Sequence, residues 1–230
     1  MPPPLDAAVK PPEKMPADPR LFIRANTLLL APPLVPEVRL HLAEESLSLW
    51  ERTEEELGQL GLPPPFWAFA WAGGQALARH VLDHPGIVAG KRVVDLAAGS
   101  GLVAIAAMRA GAAQVLASDL DAFALAAIKL NAQANGVVVG VTQADLLSLP
   151  PADADVILVG DMFYERALAE RGLAWLQLCA GAGMTVFVGD PGRSYFTKER
   201  FDKIAEHSVP VTRELEDSEI KHTAVWRLKD

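Results

Sequence analysis

Three aspartates and a pair of glycines have the types and spacing of a small-molecule site. They stand in Asp95-Leu96-Ala97-Ala98-Gly99-Ser100-Gly101, Ser118-Asp119-Leu120-Asp121 and Ala144-Asp145-Leu146, beside three short apolar runs. Gly99 and Gly101 open a helix-forming stretch, where missing side chains let a ligand approach the backbone. Enzymes that bind dinucleotides carry such a loop too. Asp95 separates the cases, because an acid there repels a pyrophosphate and welcomes a cationic group. Asp119 follows Asp95 by 24 residues, close to the roughly 20 expected of a carboxylate that accepts from two ribose hydroxyls. Asp121 reads as a helix N-cap. Asp145 can accept from the exocyclic amine of an adenine, or be a plain loop carboxylate. No Gly-Lys-Ser/Thr occurs, so a phosphate-gripping loop is excluded.

A second group of residues suits an acceptor that must lose a proton. It comprises Gly160-Asp161-Met162-Phe163-Tyr164 and Gly189-Asp190-Pro191-Gly192-Arg193-Ser194-Tyr195. Asp161 can orient an amine and accept its proton, directly or through water. Asp190 and Arg193 can shape a channel to it, or Arg193 can be a loop clamp paired with Asp190. The histidines (His41, His80, His84, His207, His222) are scattered, with no Glu-x-x-His grouping, so no metal site is expected. The lack of a Gly-x-Ser-x-Gly elbow excludes a serine hydrolase on its best marker.

These residues need strand ends to hold them. Strands are expected at Arg92 to Ala97, Gln114 to Ser118, Val137 to Thr142, Asp155 to Gly160 and Met184 to Gly189. Helices are expected at Gly73 to Leu82, Ser100 to Ala112, Asp121 to Asn135, Glu165 to Ala180 and Phe196 to His207. Val209 to Leu215 and His222 to Leu228 read as antiparallel strands joined by the polar turn Glu216-Asp217-Ser218-Glu219. From about Val38 to Leu60 the spacing of Leu42, Leu49 and Leu57, with Trp50, is helical. Its acidic Glu54, Glu55 and Glu56 read as a solvated face, or as a docking surface for a basic partner. Alternating strands and helices imply an α/β fold: a Rossmann-like, seven-stranded, mostly parallel sheet with a C-terminal antiparallel hairpin and helices on both faces. Ligands in such sheets bind outside the C-terminal strand ends, where the informative residues fall.

The run from Val93 to Gly136 resembles the cofactor-binding half of the seven-β-strand (class I) methyltransferases. The first glycine of that family's usual pair is Ala97 here. The resemblance implies S-adenosylmethionine as cofactor and S-adenosylhomocysteine as product, with Ala97, Gly99, Gly101, Leu120, Leu146 and Asp161 in contact beside the three acids. Asn131 and Asn135-Gly136, with the aromatic Pro64-Pro65-Phe66-Trp67-Ala68-Phe69-Ala70-Trp71, resemble the branch containing small protein-lysine methyltransferases. That places Trp67 and Trp71 near the methionine end; as plain sequence, the aromatics equally anchor an N-terminal helix. The Asn/Asp-Pro-Pro-Tyr motif of amide and nucleobase N-methyltransferases is absent. Asp161 to Tyr164 and Asp190 to Tyr195 instead resemble the lysine methyltransferases of the electron transfer flavoprotein β-subunit, as does Ile23 to Glu44. The resemblance implies that protein as substrate, Asp161 and Tyr164 as catalytic, and Asp190, Arg193 and Tyr195 as substrate-binding. Other readings are methylation of another protein, such as a ribosomal one, or of a small amine, and a non-catalytic cofactor-binding module.

Composition agrees with one domain. Of 230 residues half are apolar, and the formal net charge is −8, which argues against a nucleic-acid surface. The single cysteine, Cys179, sits in an apolar stretch and reads as a buried structural thiol. No apolar run is long enough to span a membrane. Residues 1–20 read as a proline-rich flexible arm, 21–90 as a helical and aromatic segment packing on the core, and 91–230 as the methyltransferase core. A cytoplasmic monomer is expected.

Overall fold

The computed structural model describes residues 18–44, 64–151, 153–216 and 218–229. The arm before residue 18 and most of the helix expected from Val38 to Leu60, with Glu54, Glu55 and Glu56, lie outside them. The N-terminal part holds α1 (Pro19–Asn26), β1 (Leu28–Leu30) and β2 (Leu40–Leu42), a two-stranded antiparallel pair. The start of the expected helix is therefore a strand, because Leu40 and Leu42 pair with Leu30 and Leu28.

The core follows as α2 (Ala72–Asp83), β3 (Arg92–Leu96), α3 (Leu102–Arg109), β4 (Gln114–Ser118), α4 (Ala122–Ala134) and β5 (Gly140–Thr142). Then come β6 (Val156–Gly160), α5 (Arg166–Gly181), β7 (Thr185–Asp190), β8 (Phe201–Pro210), the single turn α6 (Arg213–Glu216) and β9 (Ile220–Leu228). The last seven strands form one sheet in the order β5-β4-β3-β6-β7-β9-β8. β3 to β7 run parallel, and β9 pairs antiparallel with β7 and β8. The seven-stranded sheet with an antiparallel C-terminal hairpin is as expected.

Both faces of the parallel strands are covered, so Val93, Val94, Ile157, Leu158 and Val159 are all buried. The apolar sides of α2 and α3 fill one face. Ala169, Trp175, Leu176 and Cys179 of α5 fill the other, which makes the lone thiol a core residue. Chain order reverses between β3 and β6, and the crevice at a switch point opens at the C-terminal strand ends.

From Phe201 onward, the helix expected from Phe196 to His207 is instead the edge strand β8. Its backbone groups pair with β9 from Phe201↔Leu228 to Pro210↔Ile220, around a bulge between Lys203 and Ala205. A partner strand satisfies a whole row of donors and acceptors, and that outweighs a weak local helix preference. Aromatic packing adds to it, with Phe196 against Phe201 at 4.9 Å and Trp226 at 5.2 Å. The strand expected from Val209 to Leu215 stops at Pro210, and α6 follows.

Helix α2 lies against the ends of β6 and β7 because two glycines meet there. A Cβ at Gly73 would stand 2.3 Å from the Gly189 carbonyl oxygen, and one at Gly189 would stand 2.1 Å from that of Gly73. Neither backbone can give way, so Gly73→Ala should cost about 1–3 kcal/mol of stability, by strain rather than by any lost contact. A lower urea midpoint with an unchanged slope would show this; an unshifted midpoint would mean that α2 does not press on the sheet.

Three of the five histidines are not scattered. His80 lies 4.4 Å from His84 and 6.4 Å from His207, ring to ring, between α2 and β8. Among the described residues no group of three or more side chains could hold a metal. His80 Nδ1 and His207 Nε2 are buried without a hydrogen-bond partner. Burial, then His84 and His207, push His80 down to about 4, against the pull of Asp83. The unfolded chain thus binds a proton that the folded one refuses, and stability rises with pH across that window. Stability should fall as pH drops from about 6.5 toward 4, and His80→Gln should flatten that slope in urea titrations.

Candidate active site

A cleft of about 430 Å³ opens at the C-terminal ends of β3, β4 and β6, a size that suits a nucleoside-like ligand. Its walls are Trp67 and Trp71, Ala97 and Gly99 of the glycine loop, Asp119 and Leu120, Asp145 and Leu146, and then Asp161, Tyr164 and Arg193. Asp95, Gly101, Asp190 and Tyr195 do not line it.

The loop after β3 is shaped from behind. Asp95 is 1 % exposed and accepts from the Ala104 amide at 2.9 Å, at the start of α3. Burial pushes its carboxyl up to about 8, so it is no free charge facing a ligand. This corrects the expected contact: Asp95 ties strand to helix and steadies the loop. Gly101, with φ of 78°, is the N-cap of α3, and a Cβ there would meet Ile128 at 3.1 Å. Ala97 takes φ of 55° without being glycine, at a cost of roughly 1–2 kcal/mol.

Asp119 faces the cleft while holding the loop. Its Oδ2 accepts from the Gly99 amide at 2.8 Å and its Oδ1 from the Asp121 amide at 3.0 Å. Burial raises its pKa and these amides oppose the rise. Asp121 caps α4 through the Phe123 amide at 2.8 Å, as its position suggested. Asp145 also caps a turn, accepting from the Leu147 amide at 3.2 Å. Arg171 at 2.6 Å and Ser148 at 2.8 Å hold its Oδ2 and keep its pKa low. Its carboxylate is therefore a loop brace as well as a cleft wall.

The aromatic segment does both things that the sequence allowed. Trp67 lines the cleft and stacks on Phe123 at 6.3 Å, in a cluster with Ile23 of α1. Trp71 donates to the Phe66 carbonyl at 2.9 Å and packs edge-on against Phe66 and Phe69. Phe66, 43 % exposed, bridges to Tyr164 at 5.6 Å between ring centres. Tyr164 is half-exposed, and partial burial raises its pKa.

Asp161 is the most constrained residue. It takes φ of 63°, and its amide donates to the Gly189 carbonyl at 2.9 Å. Trp71, the N-cap of helix α2, makes no side-chain capping bond, and the orphan Gly73 amide donates to Asp161 Oδ2 at 2.8 Å instead. Asp161 Oδ1 pairs with Arg193 Nε. Burial raises its pKa while Arg193 lowers it. Arg193 also forks onto the buried Glu216 at 3.0 and 2.6 Å and lies 5.8 Å from the Trp71 ring. Asp190 holds the Arg193 loop by its backbone, accepting from the Gly192 and Arg193 amides at 2.6 and 2.8 Å. The side-chain clamp read for Arg193 with Asp190 is thus corrected, because Asp161 and Glu216 face the guanidinium. Tyr195 lies outside the cleft, 5.1 Å from the Arg166 guanidinium.

Sequence reasoning missed Phe66, Gly73 and Glu216. Phe66 was in the aromatic run, but nothing distinguished it there. Glu216 fell in what read as a solvated turn, and only the fold buries it.

Acids after successive parallel strands, a glycine loop without a phosphate grip and a cleft roofed by aromatics define a class I S-adenosylmethionine-dependent methyltransferase. The family model for ribosomal protein L11 methyltransferase matches residues 77–160. The electron transfer flavoprotein β-subunit lysine methyltransferase of Rattus norvegicus is 37% identical over 199 residues, 84% of this chain and 77% of its own length. The human protein of that name is 36% identical over 218 residues, 90% of this chain and 80% of its own. The chain belongs to the family of electron transfer flavoprotein β-subunit lysine methyltransferases. A solved structure from Thermoplasma acidophilum shares the fold, with a TM-score of 0.51 at 17% identity over 68% of this chain and 88% of that one.

The residues present fit the cofactor. The apolar cleft suits an adenine, and the carboxylates suit hydroxyls and a cation, not a pyrophosphate. Asp119→Ala should raise the dissociation constant for S-adenosylmethionine about tenfold or more, since one hydrogen-bonding carboxylate is worth about 1.4 kcal/mol or above. Calorimetry showing unchanged affinity would remove Asp119 from the cofactor contacts.

Proposed function

We propose that this chain methylates lysine side chains of the electron transfer flavoprotein β-subunit. The observation that carries the reading is the acceptor end of the cleft: a buried Asp161 carboxylate beside the rings of Phe66, Trp71 and Tyr164. A lysine needs both parts. Its ammonium, whose ordinary pKa in water is near 10.4, must shed a proton before the nitrogen can attack. Aromatic faces tolerate a cation while drying it, which lowers its pKa, and Asp161 orients the amine and accepts the proton directly or through water. Bound S-adenosylmethionine supplies an electrophilic methyl group on a sulfonium. The chain's own task is to align the amine with it, since displacement rates depend on in-line placement.

In this reading Asp119 holds the ribose, and Asp145 with Leu146 the adenine. Leu120, Ala97 and Gly99 pack the ligand between them, with Trp67 and Trp71 over the methionine end. Tyr164 walls the lysine, while Asp190, Arg193 and Tyr195 shape the approach of the protein substrate. The match to ribosomal protein L11 methyltransferase ends at Gly160, before the acceptor loops, so it supports the cofactor half and not that substrate. The net charge of −8 favours a protein partner over nucleic acid, and we propose a cytoplasmic monomer. Among the described residues no helix is long and apolar enough to cross a membrane.

Labelled methyl transfer to recombinant electron transfer flavoprotein, followed by peptide mass mapping, tests the substrate, and label on β-subunit lysines is expected. Asp161→Asn keeps an acceptor for the Gly73 amide and removes the charge. It should cut transfer about a hundredfold or more while cofactor affinity stays within a few-fold. Full activity in that variant would take Asp161 out of the mechanism.

A further inference from the structure

Glu216 is the residue of the site least expected from its neighbours in sequence. It ends α6, in the connection between β8 and β9, yet its side chain is 1 % exposed. Its two oxygens take the two terminal nitrogens of Arg193, at 3.0 and 2.6 Å. Arg193 therefore meets Glu216 end-on and Asp161 only through Nε. A guanidinium can grip one carboxylate through a two-pronged edge. Without Glu216 to hold the terminal nitrogens, that grip is available to Asp161, whose carboxylate would then be neutralised where the substrate amine must arrive.

We propose that Glu216 is a positioning residue for methyl transfer, holding Arg193 so that the Asp161 carboxylate stays available to the substrate amine. This rests on the reading of Asp161 given above. Two carboxylates share the one Arg193 guanidinium. Other titratable groups also face the network, and one of them is a second cation. Lys221 of β9 lies behind Glu216, 3.6 Å from Oε2, with its side chain 30 % exposed. Asp190 has one buried oxygen without a hydrogen-bond partner, and Tyr164 faces Asp161 from the cleft as a phenol. Glu216 acts on Asp161 in one direction, raising its affinity for a proton. A buried charge network is an inefficient way to stabilise a fold, since apolar replacement is often neutral. The same contacts also keep Arg193 over the Trp71 ring.

The test uses Glu216→Gln and Glu216→Asp in the full chain. The first readout is the carbon-13 titration of Asp161 with S-adenosylhomocysteine bound, assigned by difference from Asp161→Asn. The second is kcat/KM for the flavoprotein against pH, beside cofactor affinity. Glu216→Gln should move the Asp161 midpoint down, because a negative neighbour is lost and the guanidinium is freed. It should lower kcat/KM about tenfold to a hundredfold and leave cofactor affinity within about threefold. Glu216→Asp should return the midpoint and most of the activity. An unmoved midpoint in Glu216→Gln overturns the proposal, as does equal loss of activity and cofactor binding in both variants. If the wild-type protein does not methylate the flavoprotein, the substrate reading fails, and the Asp161 midpoint alone decides the role of Glu216.

Discussion

One aspartate ties the start of α2 to the far end of the sheet, parts that are distant in sequence. The Asp161 carboxylate accepts from the Gly73 amide in the first turn of α2 and from the side nitrogen of Arg193, and its own amide donates to the end of β7. Its position is possible only because Gly73 and Gly189 let the α2 backbone touch the strand ends. If α2 stood off by the width of a methyl group, the Gly73 amide would lose its partner. The aromatic segment leading into α2 would then lose its place over the cleft. Helix packing and chemistry are thus one constraint, set by two residues without side chains and one with a charge.

The same strand ends concentrate what a fold ordinarily avoids. Ala97 and Asp161 have left-handed backbones without being glycine. Asp95, Asp161, Asp190 and Glu216 are all buried acids. Such strain persists where surrounding structure over-determines it, and it marks a site kept for function at some expense of stability. The offset lies in the apolar layers above and below, where both faces of β3 and β6 are closed off.

The N-terminal layer completes the roof. Asn131 of α4 accepts from the His41 amide at 2.8 Å and donates to the Ser100 carbonyl at 2.8 Å. Asn135 binds both backbone groups of Arg39. Two asparagines on one helix face therefore fasten β2 to the core and reach the cofactor loop. The residues that looked like a family signature in the sequence are a fastening between layers.

Local pattern was enough for the parallel core. Runs such as Val156 to Gly160 can only be strands closed on both faces, and Asp121 and Gly101 announce helix starts by their chemistry. The acids after each strand followed, because chain order places them at the same end of the sheet. Where a side chain turns was decided elsewhere. Asp95 faces the helix behind it, Asp190 holds backbone, and Glu216 is buried under Arg193, although each is an acid beside a loop. The segment from Phe201 to Pro210 became a strand because β9, beyond the next turn of the chain, offered a row of partners. Periodicity reports which face of an element is apolar, and that is a property of neighbours in sequence. The partner of a charge or of an edge strand is a property of neighbours in space, and only the folded chain supplies it.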